Sequence, residues 1–218
     1  MIIFDVDGVL VDTRESFQRT TLETVRHFSG KRVSRAEWHR WKNQPGFNDD
    51  WKLSHEWVRA LGGNFTYDEV KAKFVELYWG KNGRGYVTGE RWVLSRAKLR
   101  SLSKCAELAI FTGRILRELD YTLDRWKARE CFRTIITVED VQHPKPNPEG
   151  LLKILGARDA ASAVYLGDNV DDASAARAAG MHFLGVLPRQ SQERRLRGPQ
   201  LRQLGALAIL GSVEELAP

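Results

Sequence analysis

Phe4-Asp5-Val6-Asp7-Gly8-Val9-Leu10-Val11-Asp12-Thr13 is the stretch on which the reading of this chain turns. The apolar run of residues 1–4 breaks abruptly on a carboxylate, as a strand buried on both faces does where it leaves a parallel sheet. Comparable apolar runs occupy residues 108–111, 135–138, 164–166 and 183–186. Helical patterns lie between most of them, over 90–104, 115–128, 147–155 and 171–179. Strands alternating with helices at this spacing predict an α/β fold built on a parallel sheet. Residues 207–210 add a last short strand, and the Gly-Ser-Val-Glu-Glu-Leu that follows predicts a closing helix.

One segment breaks the rhythm. Residues 14–82 contain no strand pattern and read as four helices, which predicts a helical domain of 14–82 inserted into a body made of 1–13 and 83–218. Ser34-Arg35-Ala36-Glu37 and Thr66-Tyr67-Asp68-Glu69 fit the capping box, in which a hydroxyl and a glutamate satisfy free amides reciprocally. Gly30, Gly62-Gly63 and Gly80 stand where helices should end. Trp38, Trp41, Trp51, Trp57 and Trp79 fall in this segment and predict an aromatic core for a small bundle. The glycine-rich run 80–89 reads as a hinge back to the body. In Asn147-Pro148-Glu149, Asn147 is expected as the N-cap and Pro148 as the first helical residue.

Composition narrows the function classes. The chain has 218 residues, 42% hydrophobic and 28% charged, enough to bury a core without disulfides. Cys105 and Cys131 have no metal-ligand neighbours at short spacing and read as buried or half-buried thiols of a reduced, cytoplasmic protein. A carboxylate at position 5 is incompatible with a signal peptide starting at Met1, and no apolar run reaches membrane-spanning length. The net charge of +6 suits either nucleic acid or small anions. Its densest stretch, Arg189, Arg194, Arg195, Arg197 and Arg202, has no aromatic residues to stack on bases and reads as a solvated helical face. The expected partner is a small anionic molecule, with neither nucleic acid nor membrane.

Four polar sites each follow the carboxyl end of an apolar run: Asp5/Asp7, Thr112-Gly113-Arg114, Lys145 in a proline-rich loop, and Asp168 with Asp172. Open parallel sheets bind ligands beyond the carboxyl ends of their strands, so these sites are expected to converge. Carboxylates gathered this closely repel one another unless a cation sits among them. A hard divalent ion with oxygen ligands answers that need, and Mg²⁺ combines a few carboxylates with water and a substrate phosphate. Lys145 would face the phosphoryl oxygens, with the Thr112 hydroxyl and the amides after it as further donors.

These residues carry a resemblance. Asp5-Val6-Asp7-Gly8-Val9-Leu10-Val11-Asp12-Thr13, Ala109-Ile110-Phe111-Thr112-Gly113-Arg114, Lys145 in His143-Pro144-Lys145-Pro146-Asn147-Pro148-Glu149, and Gly167-Asp168 with Asp172 resemble, in order, the four motifs of the haloacid dehalogenase-like superfamily. The similarity is to subfamily IA, phosphoglycolate phosphatase-like, with a Rossmann-like core and a helical cap inserted after the first motif. It implies that Asp5 attacks phosphorus and that Asp7 protonates the leaving oxygen and later deprotonates water. It implies Mg²⁺ held by Asp5, the Asp7 carbonyl and Asp168, with Asp172 on a metal-bound water or orienting Lys145. Thr112, Gly113 and Lys145 would grip the phosphoryl group, beside Gly8. Arg114 has two readings, contact with substrate or pairing with a carboxylate. The specificity loop is expected around Phe47, Asn48 and Lys52, a segment that also reads as a capping turn on Asn48 or Asp49.

Fold does not choose among the reactions. Dehalogenases of the superfamily lack the second aspartate, and Asp7 is present. Phosphomutases of the beta-phosphoglucomutase type carry a histidine early in the first cap helix, where this chain has Phe17. The expectation is a phosphatase acting on a small phosphorylated metabolite. Its alternatives are such a mutase and a phosphate-ester-binding protein without turnover.

Overall fold

β1 (Ile2–Phe4) is enclosed by parallel neighbours, β4 (Leu108–Phe111) on one side and β6 (Val164–Gly167) on the other, which is why its run is wholly apolar. The computed structural model, which describes residues 1–44, 46–47 and 49–217, extends this sheet at both edges. β5 (Thr134–Ile136) pairs with β4, while β7 (His182–Val186) and β8 (Ala208–Leu210) follow β6. The order is β5-β4-β1-β6-β7-β8, parallel throughout. Register aligns Phe4 with Ile110 and Leu166, so the loops after β1, β4 and β6 open at one level. The strand order reverses direction around β1, and such a switch point is where an open α/β sheet leaves a crevice.

The two-residue period of the strands divides the core in two. Phe4, Ile110 and Leu166 face one layer, with Leu99 and Leu102 of α5 (Arg96–Cys105) and Leu119 and Leu123 of α6 (Leu116–Trp126). Ile3, Ala109 and Tyr165 face the other. There they meet Leu151 and Ile154 of α7 (Glu149–Leu155), Ala173 and Ala176 of α8 (Val170–Ala178), and Leu201 of α9 (Gln192–Gln203).

The helical unit spans Asp12–Arg91, so residues 12–13 and 83–91, expected with the body, group with the helices. The α/β unit comprises Met1–Val11 and Trp92–Pro218. The short strands β2 (Val11–Asp12) and β3 (Arg91–Trp92) form a two-stranded sheet where the chain passes between units. Four helices fill the helical unit: α1 (Phe17–Ser29), α2 (Arg35–Lys42), α3 (Asp50–Ala60) and α4 (Tyr67–Trp79). Both expected capping boxes are formed, at Ser34/Glu37 and Thr66/Glu69. Trp38 and Trp57 are buried with Val25, Leu53 and Val58, and Trp41 packs against that cluster. The run after Gly80 winds into two 3₁₀ turns, Lys81–Gly83 and Tyr86–Gly89.

Several boundaries differ from the sequence reading for local reasons. The helix expected over 90–104 begins at Arg96, because Arg91–Trp92 is extended and the Ser95 hydroxyl accepts the Lys98 amide at 3.3 Å. Pro148 takes the N-cap position of α7, while Asn147 Oδ1 accepts the Glu149 amide at 3.0 Å. The closing helix is one 3₁₀ turn, Val213–Glu215. Cys105, expected to be at least half-buried, is exposed at the end of α5. Among the described residues no helix is long and apolar enough to cross a membrane.

α7 approaches β4 so closely that a Cβ on Gly150 would collide with the Phe111 ring. That ring packs on Tyr165 at 6.1 Å between centroids and is 1% exposed, so it has little room to yield. Gly150→Ala is expected to lower the unfolding free energy by about 1–3 kcal/mol in urea titration, the overpacking outweighing alanine's helix preference. A more stable variant would show that the helix shifts freely.

Candidate active site

In the α/β unit the candidate side chains lie in the loops that follow sheet strands or, for Asp172, in the first turn of the next helix. Asp5 follows β1 directly, its amide donating to Leu166 O at 2.8 Å, and its side chain is buried. Asp168 follows β6, and Asp172 lies in the first turn of α8. Oxygens of Asp5, Asp168 and Asp172 all lie within 4.8 Å of one another, so three carboxylates could share one metal ion. Gly8 has φ +76°, and a Cβ there would meet Asp168 Oδ2 at 2.5 Å. Only glycine suits both that backbone and that approach.

Lys145 arrives from the loop between β5 and α7, with 3% of its side chain exposed. Its Nζ donates to Asp5 Oδ1 at 2.9 Å, Asp172 Oδ1 at 2.7 Å and the Tyr165 hydroxyl at 2.9 Å. Tyr165 in turn donates to Asp172 Oδ1 at 2.8 Å. The other oxygen of Asp172 accepts the amides of Asp168 (3.2 Å) and Asn169 (3.1 Å), closing a capping box on α8. Asp172 therefore both starts a helix and fixes Lys145. Glu149 organises the loop that carries Lys145, accepting the amides of Gln142 at 3.0 Å and His143 at 2.9 Å. Its hydrogen bond to Lys153 and then those amides hold its carboxyl down at about 2.

Electrostatics follow from burial and from an excess of carboxylates. Burial drives the Asp5 carboxyl well above the usual range, Lys145 opposes this, and Asp172, Asp7 and Asp168 add to it. For Lys145, burial acts downward, but Asp172 and Asp5 outweigh it and hold the ammonium above its ordinary value. Tyr165 is held as a phenol by burial and then by Asp172. The surrounding carboxylates thus favour the charged form of Lys145, while burial and the other carboxylates disfavour the ionised form of Asp5.

The remaining expected residues divide between the units. Asp7 stands apart from the three clustered carboxylates and pairs with Arg114, whose Nη2 donates to Asp7 Oδ1 at 2.6 Å. Thr112 is buried, and its Oγ1 accepts the Arg114 amide at 3.2 Å across Gly113. Phe47 and Lys52 belong to the helical unit, with the Lys52 ammonium 5.6 Å from the Phe47 ring centre. Asn48 lies outside the described residues. Asp49 is the cap of α3, accepting the amides of Trp51 and Lys52.

Two side chains of the site escaped the sequence reading. Tyr165 is hidden in an apolar strand run, where its ring packs as a core residue does. Arg197, read as part of a solvated face, is 4% exposed. Its Nη1 donates to Asp168 O and Oδ2, both at 2.9 Å. Arg194 also turns inward, onto the carbonyls of Leu187, Ile209 and Leu210. Helical spacing marks neither arginine, because α9 is polar on nearly every side.

The comparisons agree with this architecture. A family model described as haloacid dehalogenase-like hydrolase matches residues 2–186. An imidazoleglycerol-phosphate dehydratase of Phytophthora nicotianae is 32% identical over 238 residues, covering 100% of this chain. The chain spans only 52% of that relative's length. Pyrophosphatase PpaX of Bacillus velezensis is 26% identical over 195 residues, covering 85% of this chain and 82% of the relative. Two crystal structures share the fold. CbbY of Rhodobacter sphaeroides, in complex with phosphate, has a TM-score of 0.72 at 22% identity over 99% of this chain and 95% of that one. A protein described as a predicted phosphoglycolate phosphatase, from Haemophilus somnus, has 0.77 at 16% over 99% and 95%.

Lys145→Met would leave Asp5 and Asp172 buried without their shared cation. Such a loss is expected to cost about 3–5 kcal/mol of unfolding free energy at neutral pH. Asp5 already titrates above its ordinary range, so removing Lys145 raises it further. A carboxyl raised in the folded state destabilises as pH rises through that value, and protonation on acidification relieves it. Urea titrations of the metal-free protein should therefore find a smaller penalty at about pH 5 than at neutrality. Equal penalties would mean that these carboxylates are not its source.

Proposed function

The chain belongs to the haloacid dehalogenase-like hydrolase family, and on that premise we propose a Mg²⁺-dependent phosphatase that hydrolyses a small phosphorylated metabolite through an aspartyl phosphate on Asp5. The observation that carries this reading is the buried Asp5, held by Lys145 inside a group of three carboxylates. Three acidic side chains against one buried lysine and one arginine leave a surplus of negative charge, which a divalent cation fits. Asp5 and Asp168, with the Asp7 carbonyl, would hold the ion. Asp172, already committed to Lys145 and to the α8 amides, would orient from behind. When bound, Mg²⁺ neutralises the carboxylates and the phosphoryl oxygens and so favours an ionised Asp5.

The chain's own groups supply the rest. An Asp5 carboxylate oxygen forms a bond to phosphorus as the phosphorus–oxygen bond of the ester breaks, and Asp7 gives its proton to the departing oxygen. Water then attacks phosphorus, Asp7 takes its proton, and Asp5 and inorganic phosphate are released. Lys145, Thr112 and the amide of Gly113 are assigned to the phosphoryl oxygens. Phe17 supports hydrolysis over return to a sugar, because it packs on Tyr78 at 4.6 Å within the helical unit and carries no proton to exchange.

We assign the choice of ester to the helical unit, at residues 47–52. The named activities of the relatives widen the candidates: pyrophosphate, and a phosphate monoester bearing an imidazole, join phosphoglycolate, sugar phosphates and amino-alcohol phosphates. Screening this panel identifies the substrate class, and p-nitrophenyl phosphate assayed with and without Mg²⁺ tests the chemistry. Asp5→Asn is expected to fold and to lose about a thousand-fold or more in kcat. Asp168→Ala is expected to move the Mg²⁺ midpoint upward by about tenfold or more. Substantial residual turnover in the first variant, or an unchanged titration in the second, would sink the corresponding assignment.

A further inference from the structure

Arg114 is the largest side chain with under 2% exposure among the described residues. Full burial of a guanidinium is costly, so the groups that receive it indicate its purpose. Nε and Nη2 both donate to Asp7 Oδ1, at 3.0 and 2.6 Å. Nη1 donates to Thr122 Oγ1 at 2.6 Å, and that hydroxyl is itself held on Glu118 O at 3.1 Å, within α6. At its base, the Arg114 amide is tied to Thr112 Oγ1. The arginine is thus held at its amide and at its guanidinium, and two of its nitrogens converge on the same oxygen of Asp7. Asp7, by contrast, is 38% exposed at its side chain. A partly exposed aspartate on a loop has several rotamers, and this fork selects one.

We propose that Arg114 is a positioning residue that acts through Asp7, rather than a contact to substrate. The inference rests on the reading of Asp7 as proton donor. With Oδ1 occupied by the guanidinium, Oδ2 is the oxygen that carries the proton to the leaving group. As the ester bond to phosphorus breaks and the Asp5–phosphorus bond forms, that proton passes from Oδ2 to the departing oxygen. Arg114 then faces the carboxylate this creates, and stabilises it more than it did the neutral acid. The assistance matters in proportion to how poor the leaving group is. An alkoxide needs the proton; p-nitrophenolate largely does not.

The test compares an alkyl phosphate with p-nitrophenyl phosphate for the wild type, Asp7→Asn, Arg114→Lys and Thr122→Val. Asp7→Asn is the benchmark, expected to lose about 10²–10⁴-fold on the alkyl ester and far less on the aryl ester. Arg114→Lys retains charge but loses the fork, and is expected to lose at least about tenfold more on the alkyl than on the aryl ester. Thr122→Val removes the Nη1 hydrogen bond at the far end of the guanidinium and should give a smaller loss of the same selectivity. It also serves as the deciding variant if Arg114→Lys does not fold. Equal losses on both esters in the arginine or threonine variant, with the benchmark selective, overturn the role of Arg114 and leave Asp7 in place. A benchmark that shows no selectivity overturns the proton-donor reading and this inference with it.

Discussion

A single buried ammonium governs the arrangement of the site. Lys145 Nζ bridges Asp5 and Asp172, and Tyr165 completes the contact from beneath. Two carboxylates at such distances cannot both stay ionised in a dry interior without a cation between them. The lysine supplies one charge, and the third carboxylate, Asp168, leaves the group acidic. The same arrangement builds the fold locally, because Asp172 caps α8 with one oxygen while its other holds Lys145. Structure and chemistry are therefore tied at one residue, and a change at Asp172 loosens both.

Much of this was legible in the sequence, for a definite physical reason. A parallel sheet buried on both faces forces its strands to be apolar, and its crevice forces polar residues to the strand ends. The transition from Phe4 to Asp5, from Phe111 to Thr112 and from Gly167 to Asp168 records both constraints at once. The capping boxes at Ser34 and Thr66 were equally visible, since they depend on residues three apart. Contacts between distant elements leave no such local trace. Arg197 looked like any arginine on a polar helix, and only the packing of α9 turns it onto Asp168. Tyr165 matched its apolar neighbours, and its hydroxyl finds Lys145 only because β6 lies beside β1.

The two arginines behave alike in one respect. Arg197 spends a buried guanidinium on Asp168 of the central cluster, and Arg114 spends one on Asp7, which stands apart from it. Together with Lys145 they are fixed cations around the acidic group, and none of them sits on the exposed surface. A net charge of +6 thus understates how locally the positive charge is used. Arginine suits this task, since its planar fork holds direction as well as charge. Preorganised charge of this kind needs no rearrangement when a phosphoryl group arrives.

Rapid quenching of the enzyme during turnover, followed by borohydride reduction and peptide mass spectrometry, tests the central assignment most directly. An aspartyl phosphate is reduced to homoserine, whereas a free carboxylate is untouched. The account predicts homoserine at position 5, dependent on both substrate and Mg²⁺. Reduction at another aspartate, or none at any residue while substrate is being consumed, would contradict it.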